Sequence, residues 1–437
     1  MDQPEISLPS ARYRAFALFI LTFVYTLNFL DRNLLALLLQ PIKDDLKLTD
    51  TQLGLLTGIA FGLFYAVLGL PIARWADRGN RVTITSMAIG LWGITVMSCV
   101  FVRTYFQLLL TRVAAGAGES GCMPPTYSLI GDYFPMPEER VKAMTIYWLA
   151  GPIASLLSFT VGGLLSDRYG WRIAFFIIGI PGLLMAAVVK IVVSEPRLRR
   201  RQAPAREAHL PGITEVLVIL WRQPTSRNLG FAYVLLLSMA LGMAPWYAAF
   251  MIRNHGMRTA EVGVFLGWIF GVCGVIGILL GGYVTSRWFT DREPAQIRLS
   301  GFSLILTFPC FVLFLLLPEK HEALAALIPL VVVFSFFLGP TFALMQRLVP
   351  PDMRARSMAV VMLVANLIGL GAGPLLVGAL SDLLRPRLGA DSLRYAMLIL
   401  SSVALWSAYH FWAASRTVKP DLAAIVEDQL HTVVSEA

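Results

Sequence analysis

Twelve apolar runs, each about twenty residues long, divide this chain from end to end, and a run of that length is what crosses the hydrocarbon core of a bilayer. In the first half they cover 13–39, 52–75, 83–102, 105–133, 143–165 and 173–193. In the second they cover 228–252, 262–286, 299–317, 323–346, 357–380 and 395–414. Charged residues make up only 14% of the chain, against ~25% in soluble proteins. The mean hydropathy is +0.68, so a water-facing surface could not be built from this composition. The first run is too long for the apolar segment of a cleaved signal peptide and reads as a retained span. Thr49-Asp50-Thr51-Gln52 has the pattern of a capping box opening the second span.

Twelve spans place both termini on one side. If that side is the cytoplasm, the inner loops and tails hold 23 Lys and Arg and the outer loops 11, so the positive-inside rule sets both termini in the cytoplasm. The net charge of +9 is thereby a matter of topology, and it carries no implication of a nucleic-acid partner. Much of the excess lies in the 194–227 connector, at Arg197, Arg199, Arg200, Arg201 and Arg206, where anionic headgroups would be attracted. Within it, 213–221 is amphipathic and suits the membrane surface, as does 422–433 near the C-terminus. The four cysteines, Cys99, Cys122, Cys273 and Cys310, sit in apolar runs without metal-ligand or disulfide spacing.

The halves repeat one another. Gly54, Gly58 and Gly62 recur as Gly263, Gly267 and Gly271, 209 residues on. Asp77 recurs as Asp291, and Pro137-Glu138-x-Arg140-x-Lys142-x-Met144 as Pro351-Asp352-x-Arg354-x-Arg356-x-Met358, both at an offset of 214. Gly163-x-Leu165-Ser166-Asp167 recurs as Gly378-x-Leu380-Ser381-Asp382 at 215. Each copy spans six helices, so the copies share one orientation, the arrangement in which two bundles rock about a central site. The expected organisation is a six-helix bundle over 1–193, a basic cytoplasmic linker over 194–227, a second bundle over 228–415 and a cytoplasmic tail over 416–437. Glycine every fourth residue lets helix backbones approach closely.

The intramembrane charges are not repeated. Asp31 and Arg32 fall in the first span and Arg112 and Glu119 in the fourth, whereas the second-half spans carry only His410, expected to be a packing residue. A charge there is costly enough to mark function by default. By helical rise Asp31 lies about 12 Å, and Arg112 about 10 Å, from the outer end of its span, so the two can meet. Glu119 is two turns from Arg112 on the same face, with Gly116 and Gly118 expected to leave space beside it. Asp31 and Glu119 are the candidates for proton coupling, and Arg32 and Arg112 for binding an anionic headgroup. Asn28, Tyr65, Tyr127, Trp246 and Asn366 are candidate lining residues of a cavity charged on one wall and apolar on the other. Such a cavity suits an amphiphile.

Asp77-Arg78-Gly79-Asn80-Arg81 resembles the signature between the second and third spans of the major facilitator superfamily, with Ala73 in place of its first glycine and Gly79-Asn80 in reversed order. The resemblance implies the all-α major facilitator fold of two parallel-repeat six-helix bundles, and a cytoplasmic gate at Asp77, Arg78 and Arg81. Asn28-x-x-Asp31-Arg32, with Arg112-x-x-x-Gly116-x-Gly118-Glu119 and Pro124, is similar to the Spinster family, whose eukaryotic members are associated with export of sphingoid-base phosphates and lysophospholipids. Arginine outnumbers lysine 30 to 6, which fits a GC-rich bacterial genome and hence a bacterial inner membrane. The expectation is a monomeric, cofactor-free, proton-driven secondary transporter of a lysolipid or sphingolipid-like substrate. A carrier of a small organic anion or drug-like efflux substrate, or a non-transporting sensor, is the alternative. Neither HExxH, GxSxG nor a P-loop is present to support an enzyme.

Overall fold

The computed structural model describes residues 9–196, 213–289, 292–336, 338–349 and 353–436. The basic cluster 197–206, and Asp291, Pro351 and Asp352 of the repeat, lie outside them. All twelve predicted spans are helical, and no strand occurs among the described residues. In chain order the first-half helices are α1 (Ala11–Leu46), α2 (Asp50–Thr57), α3 (Ile59–Arg78), α4 (Arg81–Ser98), α5 (Tyr105–Ser120), α6 (Met123–Tyr133), α7 (Pro137–Trp148), α8 (Ala150–Tyr169) and α9 (Trp171–Val192). The connector contributes α10 (Ile213–Arg222), the segment read as amphipathic, with Leu217, Val218 and Trp221 exposed. The second half continues with α11 (Pro224–Met243), α12 (Trp246–His255), α13 (Thr259–Trp268), α14 (Gly274–Trp288), α15 (Glu293–Leu316), α16 (Lys320–Phe336) and α17 (Leu338–Arg347). It ends with α18 (Arg354–Asn366), α19 (Gly373–Leu388), α20 (Ser392–Ser401) and α21 (Val403–Glu436).

Among the described residues ten continuous runs are long and apolar enough to cross a membrane on their own. Two local features separate that figure from twelve. The fourth predicted span is broken at Gly121-Cys122 between α5 and α6, and the last run, Ser357–Ile425, contains two predicted spans joined at Gly389, whose φ of 55° reverses the chain. The predicted capping box is present: Thr49 Oγ accepts from the Gln52 N–H, and the Thr49 N–H donates to the Gln52 side chain. Repeat-related spans are also interrupted in the same region, within a few residues of equivalent positions. The second span breaks at Gly58 and the eighth has a π turn over Ile269–Cys273; the fifth breaks at Leu149 and the eleventh has a π turn over Leu367–Ala372.

The helices pack as two compact units. The first comprises the chain to Leu46, Ala60–Ala205 and Arg258–Gly267; the second comprises Lys47–Ile59, Arg206–Met257 and Trp268–Ala437. The start of the second span thus packs with the second-half helices, and the start of the eighth with the first-half helices. Glycines make these seams possible. A Cβ on Gly54 would lie 2.5 Å from the Pro374 carbonyl oxygen, and one on Gly263 would lie 2.2 Å from that of Phe159. Within the first unit α4 and α9 interlock through Gly93 and Gly182, where a Cβ would meet the Leu183 nitrogen at 2.8 Å and the Trp92 ring at 2.4 Å. Lipid tails offer no hydrophobic drive toward association, so close van der Waals contact of this kind is what joins such helices.

Gly93→Val and Gly182→Val should each cost about 1–3 kcal/mol, as overpacking does in cores, and lower the thermal unfolding midpoint in detergent. Gly131→Ala, where the added methyl meets nothing within 4 Å, should leave the midpoint in place.

Candidate functional site

The four intramembrane charges meet in the first unit as two separate ion pairs. Consecutive helix residues leave the axis about 100° apart, so Asp31 and Arg32 on α1 reach different partners on α5. Arg112 Nη1 donates to both oxygens of Asp31, at 3.2 and 3.0 Å, as their depths predicted. Both residues are sealed, 1% exposed or less, and Arg112 also contacts Cys99 Sγ at 3.5 Å and the Phe175 ring at 5.5 Å. Arg32 passes by this pair to Glu119, one α-helical turn pair further along α5. Its Nε and Nη2 both donate to Glu119 Oε2, at 2.8 and 2.6 Å. The side chain of Glu119 is 1% exposed and that of Arg32 24%, so only Arg32 offers a charged surface to an incoming molecule.

The second oxygen of Glu119, Oε1, is buried with no hydrogen-bond partner. A buried acceptor left open in this way is uncommon and points to a site rather than to simple packing. Around the pair, the Arg32 guanidinium lies over the rings of Phe61, Tyr65 and Phe29 at 4.5, 4.9 and 5.3 Å. Gly116 brings those rings in, because its missing side chain lets α5 approach the Phe61 carbonyl, 2.8 Å from where a Cβ would stand. Gly118 does the same against the Trp92 nitrogen at 2.9 Å. The two glycines therefore close helix–helix gaps and do not leave the space beside Glu119 that the sequence suggested.

Aromatic side chains extend the site along one face of α1. Tyr25 stacks on Tyr147 with centroids 4.5 Å apart, and Phe29 and Trp148 meet it edge-on at 4.9 and 5.9 Å. Tyr127 joins this group through Tyr147 at 5.6 Å, and Trp148 is half exposed. Tyr65 donates to Met123 Sδ at 3.0 Å, and Asn28 is buried with its Oδ1 unpartnered. Tyr25, Phe29, Phe61 and Tyr147 escaped the sequence reading, although Tyr25, Asn28, Phe29 and Arg32 follow the i, i+3, i+4, i+7 spacing of one helix face. The two second-unit candidates differ in exposure. Trp246 is fully enclosed, its indole donating to the Pro374 carbonyl at 3.2 Å, and Asn366 is exposed with its amide bonded to the Met362 carbonyl. His410 is a packing residue, bonded through Nδ1 to Asn228 Oδ1 at 2.9 Å.

The sequence profile of the Major Facilitator Superfamily matches residues 21–374. The chain belongs to the major facilitator superfamily. It is an integral membrane transporter of that superfamily, 33% identical over 405 residues to an MFS-type efflux pump of Mycolicibacterium smegmatis, with 92% of this chain and 93% of the relative covered. It is also 24% identical over 431 residues to the sphingosine-1-phosphate transporter SPNS2 of Danio rerio, covering 91% of this chain and 83% of that one. Among solved structures, a bacterial homologue of the lysosomal transporter Spinster, inward-facing and unoccupied, superimposes with a TM-score of 0.84 at 28% identity, covering 94% of this chain and 99% of that one.

At the superfamily signature, Arg81 is fully buried and tied down inside the first unit. It ion-pairs with Glu195, donates to Asp132 Oδ2 at 2.7 Å and to Ser128 Oγ at 2.8 Å, and its backbone N–H donates to Glu195 at 2.7 Å. Arg78 is exposed at the end of α3, and the side chain of Asp77 lies outside the described part of that helix. Glu195 was not anticipated, since the sequence places it in the connector.

Removing one member of a sealed ion pair strands the other, at about 3–5 kcal/mol. Asp31→Asn should therefore destabilise the protein more than the Asp31→Asn/Arg112→Gln double variant does, read as thermal unfolding midpoints in the same detergent.

Proposed function

We propose that this superfamily member is a proton-coupled secondary transporter of an amphiphilic anion, working by rocker-switch alternating access, with Arg32 as the headgroup receptor and Glu119 as the proton carrier. One observation carries the reading: Arg32 is partly exposed and neutralises a buried carboxylate whose other oxygen is unsatisfied. A phosphate or carboxylate headgroup arriving at Arg32 competes with Glu119 for the same guanidinium, and phosphate binds it bidentately. Once displaced, Glu119 would be a buried charge without a counter-ion, and taking up a proton relieves that cost. Anion and proton binding are then positively linked, each favouring the other by the same factor.

The surrounding rings of Tyr25, Phe29, Tyr127 and Trp148 suit the first methylenes of an acyl or sphingoid chain, and the likeness to a sphingosine-1-phosphate transporter supports a lipid of that class. The likeness to an efflux pump supports a second reading, a drug-like or small organic anion at the same residues. In both readings Asp31 and Arg112 act from behind, holding α1 to α5 and contributing to proton coupling through the field they set at Arg32 and Glu119. The loop charges favour both termini in the cytoplasm, and the arginine-rich composition fits a bacterial inner membrane.

Binding of an anionic lysolipid, measured by microscale calorimetry in nanodiscs, should tighten as pH falls in the wild type. Glu119→Gln, which mimics the protonated form, should bind at every pH at least as tightly as the wild type does at low pH. Arg32→Gln should lose binding throughout. A pH response that survives in Glu119→Gln overturns the coupling role, and competition by polar organic anions but by no lipid decides for the second reading.

A further inference from the structure

The outer face of the second unit carries a group of bases that the site above does not use. There α15 and α21 pack closely at Gly301, where a Cβ would stand 3.2 Å from Phe411 Cβ and 3.3 Å from the Ala408 carbonyl oxygen. One turn before Gly301, Arg298 Nε donates to Ser415 Oγ at 3.4 Å, so the two helices run antiparallel. The next residue of α21, Arg416, lays its guanidinium on the Trp412 ring, 3.6 Å from the centroid. Lys419 follows Arg416 by three residues and so shares its side of the helix. All three bases are exposed. Arg253, Arg347 and Arg394 of this unit are each paired with an acid, but Arg298, Arg416 and Lys419 have no acid partner among the described residues. The acids nearest in sequence are engaged elsewhere. Asp421 turns to α11, where it accepts from the Thr225 N–H at 2.8 Å, and Glu293 holds Arg347 at 2.8 Å.

Each helix also sets an exposed aromatic one turn inward from its base. Phe302 comes four residues after Arg298, and Trp412 four before Arg416. Because α15 enters the span where α21 leaves it, both aromatics lie on the same side of the bases, towards the membrane interior. Ile305 continues the exposed surface from Phe302, and Tyr409 continues it from Trp412 with ring centroids 6.2 Å apart. Two helices read in opposite directions thus give one pattern, charge outside and apolar surface within. A soluble anion would meet only the bases, whereas a lipid meets both parts.

We propose that the groove between α15 and α21 binds one anionic diacyl phospholipid, its phosphate among Arg298, Arg416 and Lys419 and its chains against Trp412, Tyr409, Phe302 and Ile305. A guanidinium lying flat on an indole keeps its edge donors free, and phosphate takes two of them at once. Tryptophan and tyrosine favour the level of the headgroups, which fixes the depth of the site. This lipid is not the transported ligand: it lies on the second unit, makes no use of Arg32 or Glu119, and requires no change of conformation.

Native mass spectrometry of the full chain in detergent, titrated with phosphatidylglycerol and phosphatidylcholine of identical chains, tests the assignment. The wild type should retain one phosphatidylglycerol in preference to phosphatidylcholine. Arg298→Gln, Arg416→Gln and Lys419→Gln should each weaken that first binding about fivefold, and the triple variant about a hundredfold. Trp412→Leu, which keeps every charge, should also weaken it. Arg387→Gln, an exposed base in the last turn of α19 at the opposite end of the unit, should leave it unchanged. Glycerol phosphate, the headgroup without chains, should not displace the lipid. Equal binding by the triple variant and the wild type overturns the proposal, as does a wild type indifferent to the headgroup, an equal loss in Arg387→Gln, or displacement by glycerol phosphate. Arg32→Gln should keep the groove lipid. If the preference is lost in Arg32→Gln and kept in the triple variant, the anion belongs to the central site, which overturns the groove and leaves the transport reading in place.

Discussion

The organisation of the first unit depends on the Arg32–Glu119 ion pair. Burying a carboxylate among α1, α3 and α5 is tolerable only while a guanidinium neutralises it, and that guanidinium must cross from another helix. Glycine at position 116, which lets α3 come close, and the rings that close over Arg32 both follow from that need. The pair is nonetheless incomplete, with both donors on one oxygen and the other left open. An arrangement that is nearly but not fully satisfied can change state at modest cost, which is what a binding event must exploit.

The neighbouring Asp31–Arg112 pair shows the contrast. Both of its members are sealed, and the carboxylate is held through both oxygens, so the atom left without a partner is a donor, Arg112 Nε, and not a carboxylate oxygen. Neighbouring residues of α1, the acid Asp31 and the base Arg32, thereby enter two different ion pairs, one sealed and one partly exposed. The second unit has a buried ion pair of its own, Asp50 held in fork geometry by Arg253.

Much of this was legible in the sequence. Twelve apolar runs and a four-part repeat gave the fold, and helical rise alone brought Asp31 to Arg112. The Arg32–Glu119 pair was not foreseen as a pair, because depth is counted between Cα positions and an arginine spans more than a helical turn. Gly116 and Gly118 were misread as empty space, since a sequence shows a missing side chain but not the neighbour that moves in. Arg253 fell one residue beyond the predicted seventh span and Asp50 looked like an ordinary capping-box residue, so neither suggested a buried contact between residues 203 apart. Glu195 was hidden for the same reason, as a connector residue that folds back on Arg81.

The central claim is that an anion displaces Glu119 from Arg32 and a proton replaces Arg32 on Glu119. Proton uptake on mixing the detergent-solubilised protein with an anionic lysolipid, followed with a pH indicator in weak buffer, tests it most directly. The account predicts about one proton taken up per lipid bound, the positive linkage of a single site, and none in Glu119→Gln that still binds the lipid. Binding without proton uptake in the wild type, or equal uptake in Glu119→Gln, would contradict it.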